Sequence, residues 1–362
     1  MPLLRTGDYE IPSDWISVFK AIRNSKAVMV LGGSDTGKTT LIKYLINEFL
    51  KIDKRVAFVD SDVGQSTIGV PATICSLLIS SFEDLKMPKV DSMYFVGSNS
   101  PHGNLMQMVA GVKRTVENAF VSRADLVIMD TTGFIDGAAA YELKYQKISL
   151  TQPTSIVAIQ KEKELEFLLR LVSNAFPSTK ILRLDPASGA RVKSPSERQA
   201  NREKLFSEYF SNAKVLEINL DAVSLRRGPF GRGNPLSQLK LYELSKLFGF
   251  EVLYGEEGID DALFIARSSV HMGSTSLSMA QNYLKKGFIK VLDQNELKGV
   301  MIGLGGRNSR DFILGLGIIE KVEEGKVCLV TPVKDLNQIG VITFGSLRLS
   351  PEGKELGKMK FN

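Results

Sequence analysis

Cysteine and histidine are nearly absent: the 362 residues hold two of each, and tryptophan occurs once, as Trp15. Cys75 follows Ile74 and lies close to Leu77, whereas Cys328 sits in Lys326-Val327-Cys328-Leu329-Val330. So few ligands exclude dense Cys/His metal sites and leave nothing from which to build a disulfide framework. A reducing compartment, the cytoplasm, is the expectation. Long apolar runs are missing too, since no stretch approaches the roughly 18 residues that a membrane-spanning helix needs. The leading residues Met1-Pro2-Leu3-Leu4-Arg5-Thr6-Gly7-Asp8 offer no apolar core and reach an acid early, so no signal peptide is expected. Nor is there a dominant charge: 46 Lys and Arg stand against 40 Asp and Glu, a net +6. That mild excess permits a polyanionic partner without requiring one.

What is present is the composition of a soluble globular chain, 43% hydrophobic and 24% charged, and long enough for two cores. The runs Ala27-Val28-Met29-Val30-Leu31, Val56-Ala57-Phe58-Val59, Leu126-Val127-Ile128-Met129, Ile156-Val157-Ala158-Ile159 and Ile181-Leu182-Arg183-Leu184 read as short buried strands. Helical spacing over 39–50 (Leu41, Ile42, Leu45, Ile46, Phe49) and over 164–175 alternates with them. This is a βαβ pattern, predicting a parallel sheet with helices on both faces over about 1–212. Beyond it, a stretch dense in glycine and proline around Gly228-Pro229-Phe230-Gly231 leads into short β-rich runs and turns such as Glu324-Gly325-Lys326. A smaller β-rich domain with few helices is expected over 213–362. Within it Gly303-Leu304-Gly305-Gly306 reads as turn or bulge glycines, because no helix-forming run follows.

Between the first strand and the first helix lies Gly32-Gly33-Ser34-Asp35-Thr36-Gly37-Lys38-Thr39, followed by Thr40. It fills every position of GxxxxGK[ST]. Glycines let the backbone turn so that its N–H groups, with the helix N-terminus, face phosphate oxygens. Lys38 is placed to reach the β- and γ-phosphates and the Thr39 hydroxyl to ligate Mg²⁺. A guanine-specific site would carry Asn-Lys-x-Asp after a later strand, and the nearest segment, Gln160-Lys161-Glu162-Lys163, lacks the aspartate. ATP is therefore expected, with other nucleoside triphosphates left open.

The second strand ends Asp60-Ser61-Asp62-Val63-Gly64-Gln65. An acid at the C-terminal edge of a parallel strand beside the phosphate loop is where a Mg²⁺ ligand or general base belongs. Asp130 ends another strand. It suits metal ligation, directly or through water, and equally suits capping of the following turn.

Taken together, the phosphate loop, Asp60-x-Asp62-Val63-Gly64-Gln65, Gly97-Ser98-Asn99-Ser100-Pro101-His102-Gly103-Asn104, Asp130-Thr131-Thr132-Gly133-Phe134 and Arg198-x-x-x-Arg202 resemble the 5′-hydroxyl polynucleotide kinase family. In order and spacing, the likeness is to its compact archaeal form, without the N-terminal β domain of eukaryotic members. Gly315-Leu316-Gly317 and Thr331-Pro332-Val333 look like that family's C-terminal domain. The resemblance implies transfer of the ATP γ-phosphate to the 5′-hydroxyl of RNA, single-stranded or duplex, with DNA a further acceptor. It implies Asp62 as the base, with Gln65 ordering the site. Ser100, Pro101, Gly103 and Asn104 would belong to a clasp on the first nucleotides, with His102 a surface residue of it. Gly133 and Phe134 stand where the family has a glycine and a base-stacking tryptophan. Arg198 and Arg202 would belong to a lid over about 186–205.

One helical turn separates those two arginines, so both can fork onto one phosphate, although Arg191, Lys193 and Lys204 with Glu197 and Glu203 also suit a solvated helix. Two other readings stay in view. A regulatory P-loop ATPase of the partitioning or metallochaperone type commonly has a lysine near the loop's start, where this chain has Gly33 and Ser34. A scaffold that binds ATP without turnover would not need Lys38, Asp62 and the arginine pair.

Overall fold

The computed structural model describes residues 11–359 except 188, 190, 229, 271, 310 and 324. The leading segment 1–8 and Ser188, Pro229 and Glu324 from the loops read above lie outside that set. The chain divides into two compact units, Met1–Arg202 and Glu203–Asn362.

In the first unit the elements run α1 (Ser13–Ile22), β1 (Ala27–Gly32), α2 (Lys38–Leu50), β2 (Val56–Ser61), β3 (Thr73–Ile79), β4 (Ser92–Phe95), α3 (Leu105–Val121), β5 (Leu126–Thr131), α4 (Ala138–Thr151), β6 (Ser155–Ile159), α5 (Glu166–Ala175), β7 (Lys180–Leu184) and the start of α6 (Pro195–Phe210). The sheet order is β4-β3-β2-β5-β1-β6-β7. The five strands read from the sequence form its parallel part. Beside them β3 and β4 add an antiparallel edge, so the sheet is mixed where a parallel one was expected.

Burial explains why the parallel strands read as unbroken apolar runs. Val28 and Val30 of β1, Phe58 of β2 and Ile128 of β5 pack with Leu41, Leu45 and Phe49 of α2 and with Ile22 of α1. The intervening Met29, Leu31, Val59 and Met129 are just as buried, as strands covered on both faces must be. Trp15 packs within this core, its ring centroid 5.6 Å from that of Tyr44. Cys75 is buried and unbonded to another cysteine, and burial pushes its thiol up to about 12, which leaves it protonated and inert.

The register sets up the site. Asp60 pairs with Asp130 and Ser61 with Thr131 across β2 and β5, while β1 between β5 and β6 delivers Gly32 to the same C-terminal edge. In open α/β sheets ligands bind at this edge.

The second unit continues with β8 (Lys214–Asn219), β9 (Ser224–Arg226), β10 (Asn234–Pro235), α7 (Gln238–Phe248), β11 (Val252–Glu257), β12 (Asp261–Ala266), α8 (Ser274–Leu284), β13 (Phe288–Asp293), α9 (Gln294–Leu297), β14 (Val300–Gly306), β15 (Ile313–Glu323), β16 (Lys326–Thr331), β17 (Ile339–Leu349) and β18 (Glu355–Lys358). Its larger sheet, β18-β17-β14-β15-β16-β8, is antiparallel, with β9 added alongside β17. A smaller sheet, β10-β11-β12-β13, packs with α7 and α8, which is more helix than the sequence led us to expect. Gly305 and Gly306 sit at register shifts in β14, as bulge glycines do. Gly315 is held to glycine by crowding, because a Cβ there would lie 2.5 Å from Val333 Cγ2 and 2.7 Å from the Tyr209 hydroxyl.

Candidate active site

The turn after β1 becomes a phosphate cradle because Gly37 takes a φ of 92° and enters α2 without a side-chain cap. The first N–H groups of α2 are thereby left facing outward, as an anion site requires. Lys38 is buried and its Nζ donates to the Gly33 carbonyl at 2.6 Å, while Thr36 Oγ1 donates to the same oxygen at 3.0 Å. The lysine thus lies back along its own loop. Gly133 is pressed against the loop so closely that a Cβ on it would come within 2.5 Å of the Ser34 amide nitrogen, which accounts for the glycine before Phe134.

Behind the loop, Thr39 Oγ1 donates to Asp130 Oδ2 at 2.6 Å and the Thr131 amide to Asp130 Oδ1 at 2.8 Å. Asp130 thus holds the threonine hydroxyl and accepts from the amide of the residue after it. Burial raises the pKa of its carboxyl.

The two acids after β2 separate sharply. Asp60 is buried and accepts from the amides of Asp62 at 3.0 Å, Thr67 at 2.5 Å and Ile68 at 3.1 Å. Burial and the neighbouring Asp130 push it up to about 8. It is a structural acid that folds the 60–68 turn. Asp62 is half-buried, with Oδ1 accepting from the Gly64 and Gln65 amides at 3.0 and 3.1 Å. No hydrogen bond reaches its Oδ2 among the described residues. One oxygen is fixed and the other is available, the arrangement a positioned base needs.

The segment expected to form the clasp stands beside this turn, for a Cβ on Gly64 would lie 3.1 Å from the Asn99 carbonyl oxygen. Pro101 is buried, Ser100 and Asn104 half-buried, and His102 and Gly103 exposed. The His102 ring lies 4.5 Å from that of half-buried Phe134, tilted by 59°, so the residues expected as clasp and as stacking platform are in contact. Gln65 links to the segment expected to form the lid, its Nε2 donating to the Arg198 carbonyl at 3.1 Å. The Arg198 guanidinium pairs with Asp35 of the phosphate loop at 2.6 Å, and the Lys193 amide donates to the same oxygen at 3.0 Å. Arg202 lies one turn further along α6, half-buried. Glu197 pairs with Arg191, as the solvated-helix reading anticipated.

Mg²⁺ takes hard oxygen donors, usually one or two carboxylates with phosphates and waters rather than a full protein cage. The Thr39 hydroxyl with the Asp130 and Asp62 carboxylates offers that chemistry. Among the described residues no three His, Cys, Asp or Glu side chains gather as an ion cage.

Two residues escaped the sequence reading. Lys144 and Lys147 of α4 are 1% and 0% exposed. Lys144 Nζ donates to the Thr132 carbonyl at 2.5 Å and its hydroxyl at 3.3 Å, and Lys147 Nζ donates to Ser61 Oγ at 3.0 Å. Burial depresses both ammonium groups, Lys147 to about 8. Their signal was in the spacing. Ala140, Leu143, Lys144, Lys147 and Ile148 form the buried stripe of α4, which puts lysine at two positions where an amphipathic helix calls for an apolar residue.

The family described as mRNA cleavage and polyadenylation factor CLP1 P-loop matches residues 32–212. The polyribonucleotide 5′-hydroxyl-kinase of Pyrococcus abyssi is 32% identical over 354 residues, covering 96% of this chain and 95% of the relative. That of Methanocaldococcus jannaschii is 32% identical over 357 residues, with 96% and 94% covered. The solved complex of wild-type Clp1p with Pcf11p shares the fold, at a TM-score of 0.61 and 14% identity over 92% of this chain and 79% of that one. With nearly its whole length shared at this level, the chain belongs to the family of polyribonucleotide 5′-hydroxyl-kinases and carries a CLP1-type P-loop.

Proposed function

We propose that this chain transfers the γ-phosphate of ATP to the 5′-hydroxyl of RNA, in the cytoplasm. The observation that carries the reading is the half-open carboxylate of Asp62 at the strand edge that also holds a complete phosphate loop. The relatives named polyribonucleotide 5′-hydroxyl-kinases support it along 96% of the chain. ATP would lie with its phosphates on the α2 N-terminus and Lys38. Asp62 Oδ2 takes the proton of the acceptor hydroxyl as its oxygen bonds to the γ-phosphorus. The bond from that phosphorus to the β–γ bridging oxygen breaks, and ADP leaves. Phosphoryl transfer asks little more of a protein than positioning and positive charge. Mg²⁺, held by Thr39 with Asp130 and Asp62, would neutralise phosphate charge.

Incubated with γ-labelled ATP and Mg²⁺, the protein is expected to label a 5′-hydroxyl RNA oligomer and to leave a 5′-phosphorylated one unlabelled. ATP hydrolysis that ignores added oligomer would point to a regulatory ATPase instead. A DNA oligomer of the same sequence, run in competition, reports whether DNA is a second acceptor.

Phe134 is expected to act on acceptor binding. Base–aromatic stacking contributes about 1–3 kcal/mol, so Phe134→Ala should raise the RNA KM by about 5- to 150-fold while the ATP KM holds. An unaltered RNA KM would remove the stacking role.

A further inference from the structure

The buried lysines of α4 have no part in the reading above, and the chemistry of burial requires a reason for them. No carboxylate lies within salt-bridge distance of either ammonium among the described residues. Charged groups are not kept in an interior without compensation, and replacing them by apolar residues of similar shape often leaves a fold as stable or more so. A packing role would therefore be met better by leucine or methionine, as at Leu143 and Ile148 of the same stripe.

Their hydrogen bonds differ in destination. Lys147 donates to Ser61 Oγ, which donates in turn to the Asp130 carbonyl at 2.6 Å. Ser61 stands between Asp60 and Asp62, so this bond grips the strand end from which the base projects. Lys144 holds Thr132 by both its carbonyl and its hydroxyl. Thr132 is followed by Gly133, wedged against Ser34, and then by Phe134. Nearby carboxylates offset part of the cost of burial: Asp62 and Asp130 favour the charged form of both, and Asp60 that of Lys147, while Lys147 and Lys38 oppose it at Lys144.

We infer that Lys147 and Lys144 are positioning residues for the acceptor half of the site, Lys147 fixing the Asp62 turn through Ser61 and Lys144 fixing the Phe134 loop through Thr132. The pair forms a strut from α4 to the ends of β2 and β5. This deepens the kinase reading and rests on it.

The test uses the full chain and two shape-conserving variants, Lys147→Met and Lys144→Met. Steady-state phosphorylation of a 5′-hydroxyl RNA oligomer is measured with thermal unfolding and titration of a fluorescent ATP analogue. Misplacing a catalytic group by about 1 Å lowers rates on the order of 100-fold. Lys147→Met should therefore lose kcat by about that factor with its RNA KM unchanged. Lys144→Met should instead raise the RNA KM, by about tenfold or more if stacking on Phe134 loosens, with kcat nearly kept. Both should bind the ATP analogue as the parent does and unfold at or above its temperature. Activity that falls only in step with thermal stability, or a variant that fails to fold, would make the lysines a packing device and overturn the assignment. So would kinetics unchanged in either variant, or the same kinetic defect in both. Parental protein that labels no RNA would instead sink the kinase reading itself, so the two failures are distinguishable.

Discussion

Asp62→Asn is expected to lower kcat for RNA phosphorylation by about 10²- to 10⁴-fold, the range for removing a positioned general base. The substitution is close to surgical. Oδ1 of Asp62 accepts the Gly64 and Gln65 amides, a task that an asparagine carbonyl performs equally well, so the turn should keep its shape. What changes is the other oxygen, which becomes an amide nitrogen that already holds its protons. The same carboxylate is also a candidate metal ligand, and the two roles separate in a Mg²⁺ titration. A base lost from an intact turn leaves the half-saturating Mg²⁺ concentration where it was, whereas a lost ligand moves it upward. A kcat within threefold of the parent would end the case for Asp62 as base.

That separation between Asp60 and Asp62 shows where the sequence stops being legible. Two acids spaced by one residue at a strand end mark the functional edge, and the phosphate loop is readable outright because Gly32, Gly37, Lys38 and Thr39 serve one local geometry. Which acid faces inward depends on where β2 gives way to a turn, and that is decided by the amides of Thr67 and Ile68 folding back onto Asp60. Direction is hidden in the same way. Thr73–Ile79 is as apolar as its parallel neighbours, but an apolar run carries no arrow, and β3 runs antiparallel to β2. Lys144 and Lys147 were legible in principle, since their places on the apolar stripe follow from helix period alone. A polar residue on such a stripe is easily assigned to solvent, and only the fold brings Ser61, 86 residues away, to Lys147. The Arg198–Asp35 pair, 163 residues apart, leaves no trace in local spacing.

That pair frames the second large effect. Arg198→Ala is expected to reduce kcat by about 10³- to 10⁵-fold, the scale for an arginine that stabilises a transferring phosphoryl group. The fold should hardly register the change. The ion pair with Asp35 is part-exposed, with side-chain exposures of 26% and 14%, and such pairs contribute little to stability. The contact instead ties the guanidinium to the phosphate loop itself, and Gln65 ties the Arg198 carbonyl to the Asp62 turn. One residue therefore touches both the phosphate loop and the Asp62 turn, and on the proposed reading its charge would act where the phosphoryl group passes between them. For such a residue the loss falls on kcat, because the interaction strengthens only as charge develops on the moving oxygens. A residue that merely docks ATP would raise the ATP KM and spare kcat. Single-turnover labelling by Arg198→Ala at saturating ATP tells the two apart, and a rate close to that of the parent would reduce Arg198 to a latch for the lid.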